Sequence, residues 1–154
     1  FNVLRDISRS CRRFGLAGTV QHGASTLPEH FFDQFPKHEA IEIHLATEFQ
    51  RMVFVHPKFP LKPQLVEWCK KTRPVEWKEG QTEAQNVEKT IKRAWGPFKK
   101  EIWSLPPDAL GPILEGLENK FKKLMTLLNI KGTKRAVGQF VKATPVNPPK
   151  PPGL

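Results

Sequence analysis

Tyrosine is absent from this 154-residue chain, cysteine occurs twice and serine four times. Two cysteines, Cys11 and Cys69, supply neither a disulfide framework nor a metal cluster, which points to a reducing compartment. None of the serines, Ser8, Ser10, Ser25 and Ser104, stands in a nucleophile elbow. Glycine is equally uninformative for chemistry: Gly15 and Gly18 give only G-x-x-G and no G-K-[ST] follows, so a phosphate-binding loop is excluded. His22, His30, His44 and His56 lack ligand spacing. The H-E-A-I-E run at His38 falls short of a zinc metallopeptidase helix because Glu42 stands where a second His is needed. Cys69 has Lys70 and Lys71 beside it, which could lower a thiol pKa, but its place on an apolar helical row reads as buried and inert. No catalytic residue, cofactor or metal is expected. Long apolar runs are missing too: the longest uncharged stretch, FGLAGTVQHGASTLP, is too short and too polar to span a bilayer.

What the chain has in excess is proline and positive charge. There are 15 prolines, and 25 basic against 15 acidic residues give a net charge of +10 and a pI near 9.9. Such a balance suits polyanionic surroundings, either nucleic acid or anionic lipid. The charge is uneven: residues 1–26 carry +3, 27–56 carry −3, 57–100 carry +6, 101–128 carry −1 and 129–154 carry +5.

Periodicity predicts a mainly α protein. Residues 2–14 project as an amphipathic helix, with Val3, Leu4, Ile7, Cys11 and Phe14 in an arc of about 100° and Arg5, Arg9, Arg12 and Arg13 opposite. Thr26 and Glu29 have capping-box spacing, predicting a short helix through Phe31, Phe32 and Phe35 that stops at Pro36. Ile41, Leu45, Phe49, Met52 and Val53 predict a helix from Lys37 to about Val55. Prolines 57, 60 and 63 mark a connector. A helix of about ten residues then carries Leu61, Leu65, Trp68 and Cys69. Thr82 and Gln85 form a second capping box, opening a row that runs through Val87, Ile91 and Phe98 to Ile102, with a kink or break near Gly96 imposed by Pro97. After SLPPD the spacing resumes from Leu110 to Leu128, with Gly132 as the expected C-cap. Joined by so short a turn, these segments predict an antiparallel helical hairpin over about 82–131. Ala136, Val137, Phe140 and Val141 allow one more short helix.

The expected architecture is therefore an irregular helical protein with Pro-rich connectors and extended N- and C-terminal arms. It divides into an amphipathic arm (1–26), one helical domain (27–142) and a Pro-rich tail (143–154). Ends of this composition become ordered when something holds them, so both are expected to run along partners. Candidate partner contacts are Val3, Leu4, Ile7, Phe14, Trp77, Pro148, Pro149, Pro151 and Pro152. Candidate polyanion contacts are Arg5, Arg9, Arg12, Arg13, Lys70, Lys71 and Arg93, the last three interleaved with Trp68, Trp77 and Trp95 as nucleic-acid contact requires.

The Arg- and Ser-rich, acid-poor start has the character of a mitochondrial transit segment, and Phe at position 1 suggests a processed or truncated chain. The function expected is a non-catalytic accessory subunit of a large mitochondrial assembly, a respiratory-chain or ATP synthase complex, in the matrix or on the matrix face of the inner membrane. Its partners would be other protein subunits, with rRNA or anionic lipid as further possible contacts. The alternative is a mitochondrial ribosomal protein contacting rRNA through its basic segments. It ranks second because Glu67, Glu76, Glu79, Glu83 and Glu88 lie inside the supposed patch.

Overall fold

The computed structural model describes residues 1–146, Thr26 through its backbone alone. Helices dominate: α1 (Asn2–Arg13), α2 (Gln34–Lys37), α3 (Thr47–Val55), α4 (Lys62–Thr72), α5 (Glu83–Thr90), α6 (Lys99–Trp103), α7 (Pro107–Leu127) and α8 (Lys134–Phe140). Two short strands, β1 (Thr19–Gln21) and β2 (Ala40–Ile43), pair in parallel. None of these helices is long and apolar enough to cross a membrane.

The early part of the chain departs from its periodicity. The helix expected from Lys37 begins only at Thr47, and residues 40–43 are strand β2. Ala-Ile-Glu-Ile places β-branched Ile at every second position, which suits a strand as well as the four-residue spacing suits a helix. Pairing with β1 decides between them, with Thr19 opposite Ala40, Val20 opposite Glu42 and Gln21 opposite Ile43. Parallel strands need a crossover of a dozen or more residues. Residues 22–39 provide it as two 3₁₀ turns, Ala24–Thr26 and Glu29–Phe31, followed by α2. Pro36 lies inside α2 rather than ending a helix, because a four-residue turn asks little of its missing N–H. Residues 1–26 are thus no free arm: α1 and β1 are built into the body.

The segment 82–103 breaks where proline requires. Thr82 and Gln85 make the full capping box at α5, with Gln85 N–H donating to Thr82 Oγ1 at 3.3 Å and Thr82 N–H to Gln85 Oε1 at 3.0 Å. A 3₁₀ turn over Ile91–Trp95 follows, and α6 starts only beyond Pro97. The first limb of the expected hairpin is therefore three short pieces, whereas α7 is a continuous helix of 21 residues. Pro107 opens α7 at the position that tolerates it, and Pro112 removes one donor from the second turn. Asn129, not Gly132, closes α7: it takes φ 57°, its N–H donates to Thr126 at 3.1 Å and Ile130 N–H donates to Met125 at 3.0 Å. That pair of bonds is a Schellman cap, which Asn can form because its short polar side chain tolerates the left-handed conformation.

Two apolar clusters hold the fold. One gathers Phe54, Phe59, Leu65, Ala94, Ile102 and Ile113; the other gathers Ala24, Phe32, Phe35 and Leu124. Helix α7 spans both, contributing Ile113 to the first and Leu124 to the second, about 16 Å apart at 1.5 Å per residue. Helix α3 bridges them as well, through Phe54 at one end and Phe49 at the other, where Phe49 stacks on Phe121 at 4.6 Å. Lys120 of α7 ties the same junction electrostatically by reaching Glu29 and, at 3.5 Å, Glu48 of α3.

Candidate functional site

Helix α1 docks on a line that runs between its two faces. Leu4 joins the second cluster, and Ser8, one turn on, is fully buried. Ser8 is small enough to let the helix backbone approach the sheet, and Gly18 completes the fit. A Cβ at Gly18 would lie 2.9 Å from Ile41 Cγ2 and 3.1 Å from Ser8 Oγ. The Ser8 hydroxyl donates to the Glu39 carbonyl at 2.7 Å, accepts from Thr19 N–H at 2.9 Å and bonds the Thr19 hydroxyl at 2.8 Å. Glu39 sits at φ 63°, a conformation costly for a residue with a side chain. Its carboxylate receives Arg9 Nε at 3.1 Å and also Arg12, whose guanidinium chiefly holds that carboxyl below its usual range. Phe1 seals the start of the helix, 5.7 Å edge-on from Phe35 and 5.3 Å from His38.

This docking splits the apolar arc. Leu4 turns inward, while Val3, Ile7 and Phe14 face solvent at 72%, 49% and 84% exposure. Together with half-buried Cys11 and with Leu16 they line a shallow apolar concavity, rimmed by Asp6 and Ser10. Leu16 was not legible as a member: it follows the helix, and only the turn at Gly15 (φ 76°) brings it alongside.

The candidate polyanion contacts are largely engaged with carboxylates. Arg9 and Arg12 hold Glu39, Arg5 meets Asp6 at 3.4 Å and Lys70 meets Glu83 at 2.7 Å. Arg93 grips Glu76 through Nε at 2.9 and 3.0 Å and through Nη2, with Lys92 at 3.7 Å. Arg13 and Lys71 are exposed and have no ion-pair partner among the described residues. Trp68 packs edge-on against Phe98 at 6.5 Å and Trp95 against Phe54 at 5.0 Å, so both serve the core. Trp77 is half-buried beneath the Arg73 guanidinium, 5.9 Å from its ring centre. The tryptophan that does stand exposed is Trp103, at 76% with the Lys99 ammonium 4.6 Å from its ring. It follows a Lys-Lys-Glu-Ile run, but no spacing rule marks it as exposed. Pro148, Pro149, Pro151 and Pro152 lie outside the described residues.

The Arg93 guanidinium holds the Glu76 carboxyl down at about 2, from an ordinary 4.5. A carboxyl depressed in the folded state stabilises it above the unfolded pKa, and this contribution is lost as pH falls through the folded value. Carbon-detected NMR titration should place Glu76 near 2, and Glu76→Gln should remove its share of the stability lost between about pH 4.5 and 2. A Glu76 titration at the ordinary carboxylate value would show that the pair does not form in solution.

Two of the histidines are engaged as well. His38 Nδ1 lies 2.8 Å from the Gln34 carbonyl, Glu42 lies against His44, and no group of three or more His, Cys, Asp or Glu fit to hold a metal ion occurs among the described residues. Cys69 is fully buried on α4, and burial pushes its thiol up. A second concavity, between Ser25, Phe32, Leu45, Glu48, Phe49 and Lys120, has its charges matched internally by Lys120 with Glu29 and Glu48. Comparison with protein-family profiles, with curated proteins and with solved structures finds no match for this chain.

Proposed function

We propose that the protein is a non-catalytic accessory subunit of a large mitochondrial assembly, a respiratory-chain or ATP synthase complex, residing in the matrix or on the matrix face of the inner membrane. The observation that carries this reading is the mounting of α1. Ser8, Leu4 and Glu39 fasten the helix to the sheet, so Val3, Ile7, Phe14 and Leu16 are presented on a fixed backbone. A rigid, contiguous apolar surface rimmed by polar groups is what a protein partner covers, and rigidity lowers the ordering cost of covering it. The Arg- and Ser-rich composition of that helix supports the mitochondrial placement.

The test is native separation of mitochondrial complexes followed by mass spectrometry. The chain should co-migrate with other protein subunits, and Ile7→Asp should release it while leaving its melting temperature unchanged, since Ile7 is half exposed and outside both core clusters. Recovery of the parent chain only as a free monomer would overturn the proposal. The exposed Trp103 with Lys99 supports a second reading, contact with mitoribosomal RNA. In that case the same separation would find the chain with ribosomal particles, crosslinked to RNA and released steeply by salt.

A further inference from the structure

Glu118 is the last acidic side chain: residues 119–154 carry eight cations and no Asp or Glu. Three of these cations are matched to carboxylates from earlier in the chain, Lys120 and Lys123 to Glu29 and Lys122 to Glu118. Lys131, Lys134, Arg135 and Lys142 have no such partner among the described residues. They sit on and around α8, and every residue from 129 to 146 is exposed. Nothing in α8 is buried, although Val137, Phe140 and Val141 are 52%, 78% and 64% exposed. In projection Val137, Phe140 and the C-cap residue Val141 share an arc of about 100°, and Lys134 and Arg135 lie on the adjoining arc of about 100°.

We propose that residues 130–142 form an anchor for the surface of an anionic phospholipid membrane. Val137, Phe140 and Val141 would enter the boundary between headgroups and acyl chains, while Lys131, Lys134, Arg135 and Lys142 would meet the lipid phosphates. The charge pattern favours this occupant, since a stretch without any acid suits a continuous negative surface better than the mixed charge of a protein interface. The apolar members separate lipid from RNA. Of the exposed apolar side chains here Phe140 offers a ring for base stacking, but Ile130, Val137 and Val141 do not, whereas an acyl boundary takes up all four. Helix stability points the same way: α8 has seven residues with Gly138 in its interior, too short and too permissive to persist alone in water. Insertion of its apolar face supplies what the sequence does not. This inference is independent of the accessory-subunit reading, which rests on α1.

Flotation of the purified full chain with vesicles tests it, one set of phosphatidylcholine alone and one containing phosphatidylglycerol. Binding should occur only to the second set and should weaken as salt is added. Val137→Asp with Phe140→Asp should abolish it without shifting the melting temperature, because neither side chain packs on the body. Lys134→Gln with Arg135→Gln should weaken it by about 25-fold, at about fivefold per cation removed. Ile7→Asp should leave it unchanged. Equal binding to both vesicle types, binding retained by the Val137/Phe140 variant, or binding to polyuridine in place of vesicles would each overturn the proposal.

Discussion

Ser8→Ala is expected to destabilise the fold by about 3 kcal/mol, read as a lower denaturation midpoint by circular dichroism. The hydroxyl it removes uses its single proton on the Glu39 carbonyl and both lone pairs on Thr19, so its bonding capacity is filled. Truncation leaves a buried N–H, a buried hydroxyl and a carbonyl without their partner in one place, and each such group costs about 1–3 kcal/mol when water cannot replace it. Partial entry of water keeps the sum toward the low end. The damage should be local at first: the Thr19 amide should lose protection from hydrogen exchange before amides of α7 do. Ser10→Ala is the control. Ser10 is exposed and its loss should change stability by less than about 0.5 kcal/mol. Equal effects of the two substitutions would show that α1 is not fastened through Ser8.

Asn86→Ala is expected to cost about 2 kcal/mol, for a related reason. Asn86 is 2% exposed on α5, where its side-chain amide clasps one residue of the preceding loop. Lys78 N–H donates to Asn86 Oδ1 at 2.8 Å, and Asn86 Nδ2 donates to the Lys78 carbonyl at 2.9 Å. Alanine raises helix propensity slightly but orphans both backbone groups, and the second effect is larger. Asn86→Asp is the sharper probe. It keeps the acceptor, loses the donor and sets a carboxylate against a carbonyl in a buried site, so at neutral pH it should cost more than alanine. Such a site raises the carboxyl pKa. The deficit should therefore shrink as pH falls through that raised value, when the protonated acid can again donate to Lys78. A deficit that grows on acidification would refute the clasp. Because the loop held in this way carries Trp77, both variants should also alter the Arg73–Trp77 contact, visible in tryptophan fluorescence.

The candidate surface was legible in part. Val3, Ile7 and Phe14 stand out in helical projection because their arc depends only on spacing along α1. Leu4 lies in the same arc and yet faces inward, which projection cannot reveal: the docking line is set by Thr19 and Glu39, 11 and 31 residues from Ser8. Glu39 and Ser8 were invisible as anchors for that reason. A carboxylate and a hydroxyl read as solvated until long-range partners are known. The basic segments show the same limit, since net charge says how many cations there are but not that Arg93 is engaged by Glu76 across 17 residues.

The sequence alone determined the mainly helical class, the capping box at Thr82, the break at Pro97 and the long helix through Leu110–Leu128, because each follows from interactions within a few turns of chain. Only the tertiary structure decided that Ala40–Ile43 is a strand, which side of α1 is covered and which cations around α8 have no carboxylate partner among the described residues. In those three cases local preference was nearly balanced, and the choice fell to contacts between residues distant in sequence, whose energies no local pattern contains.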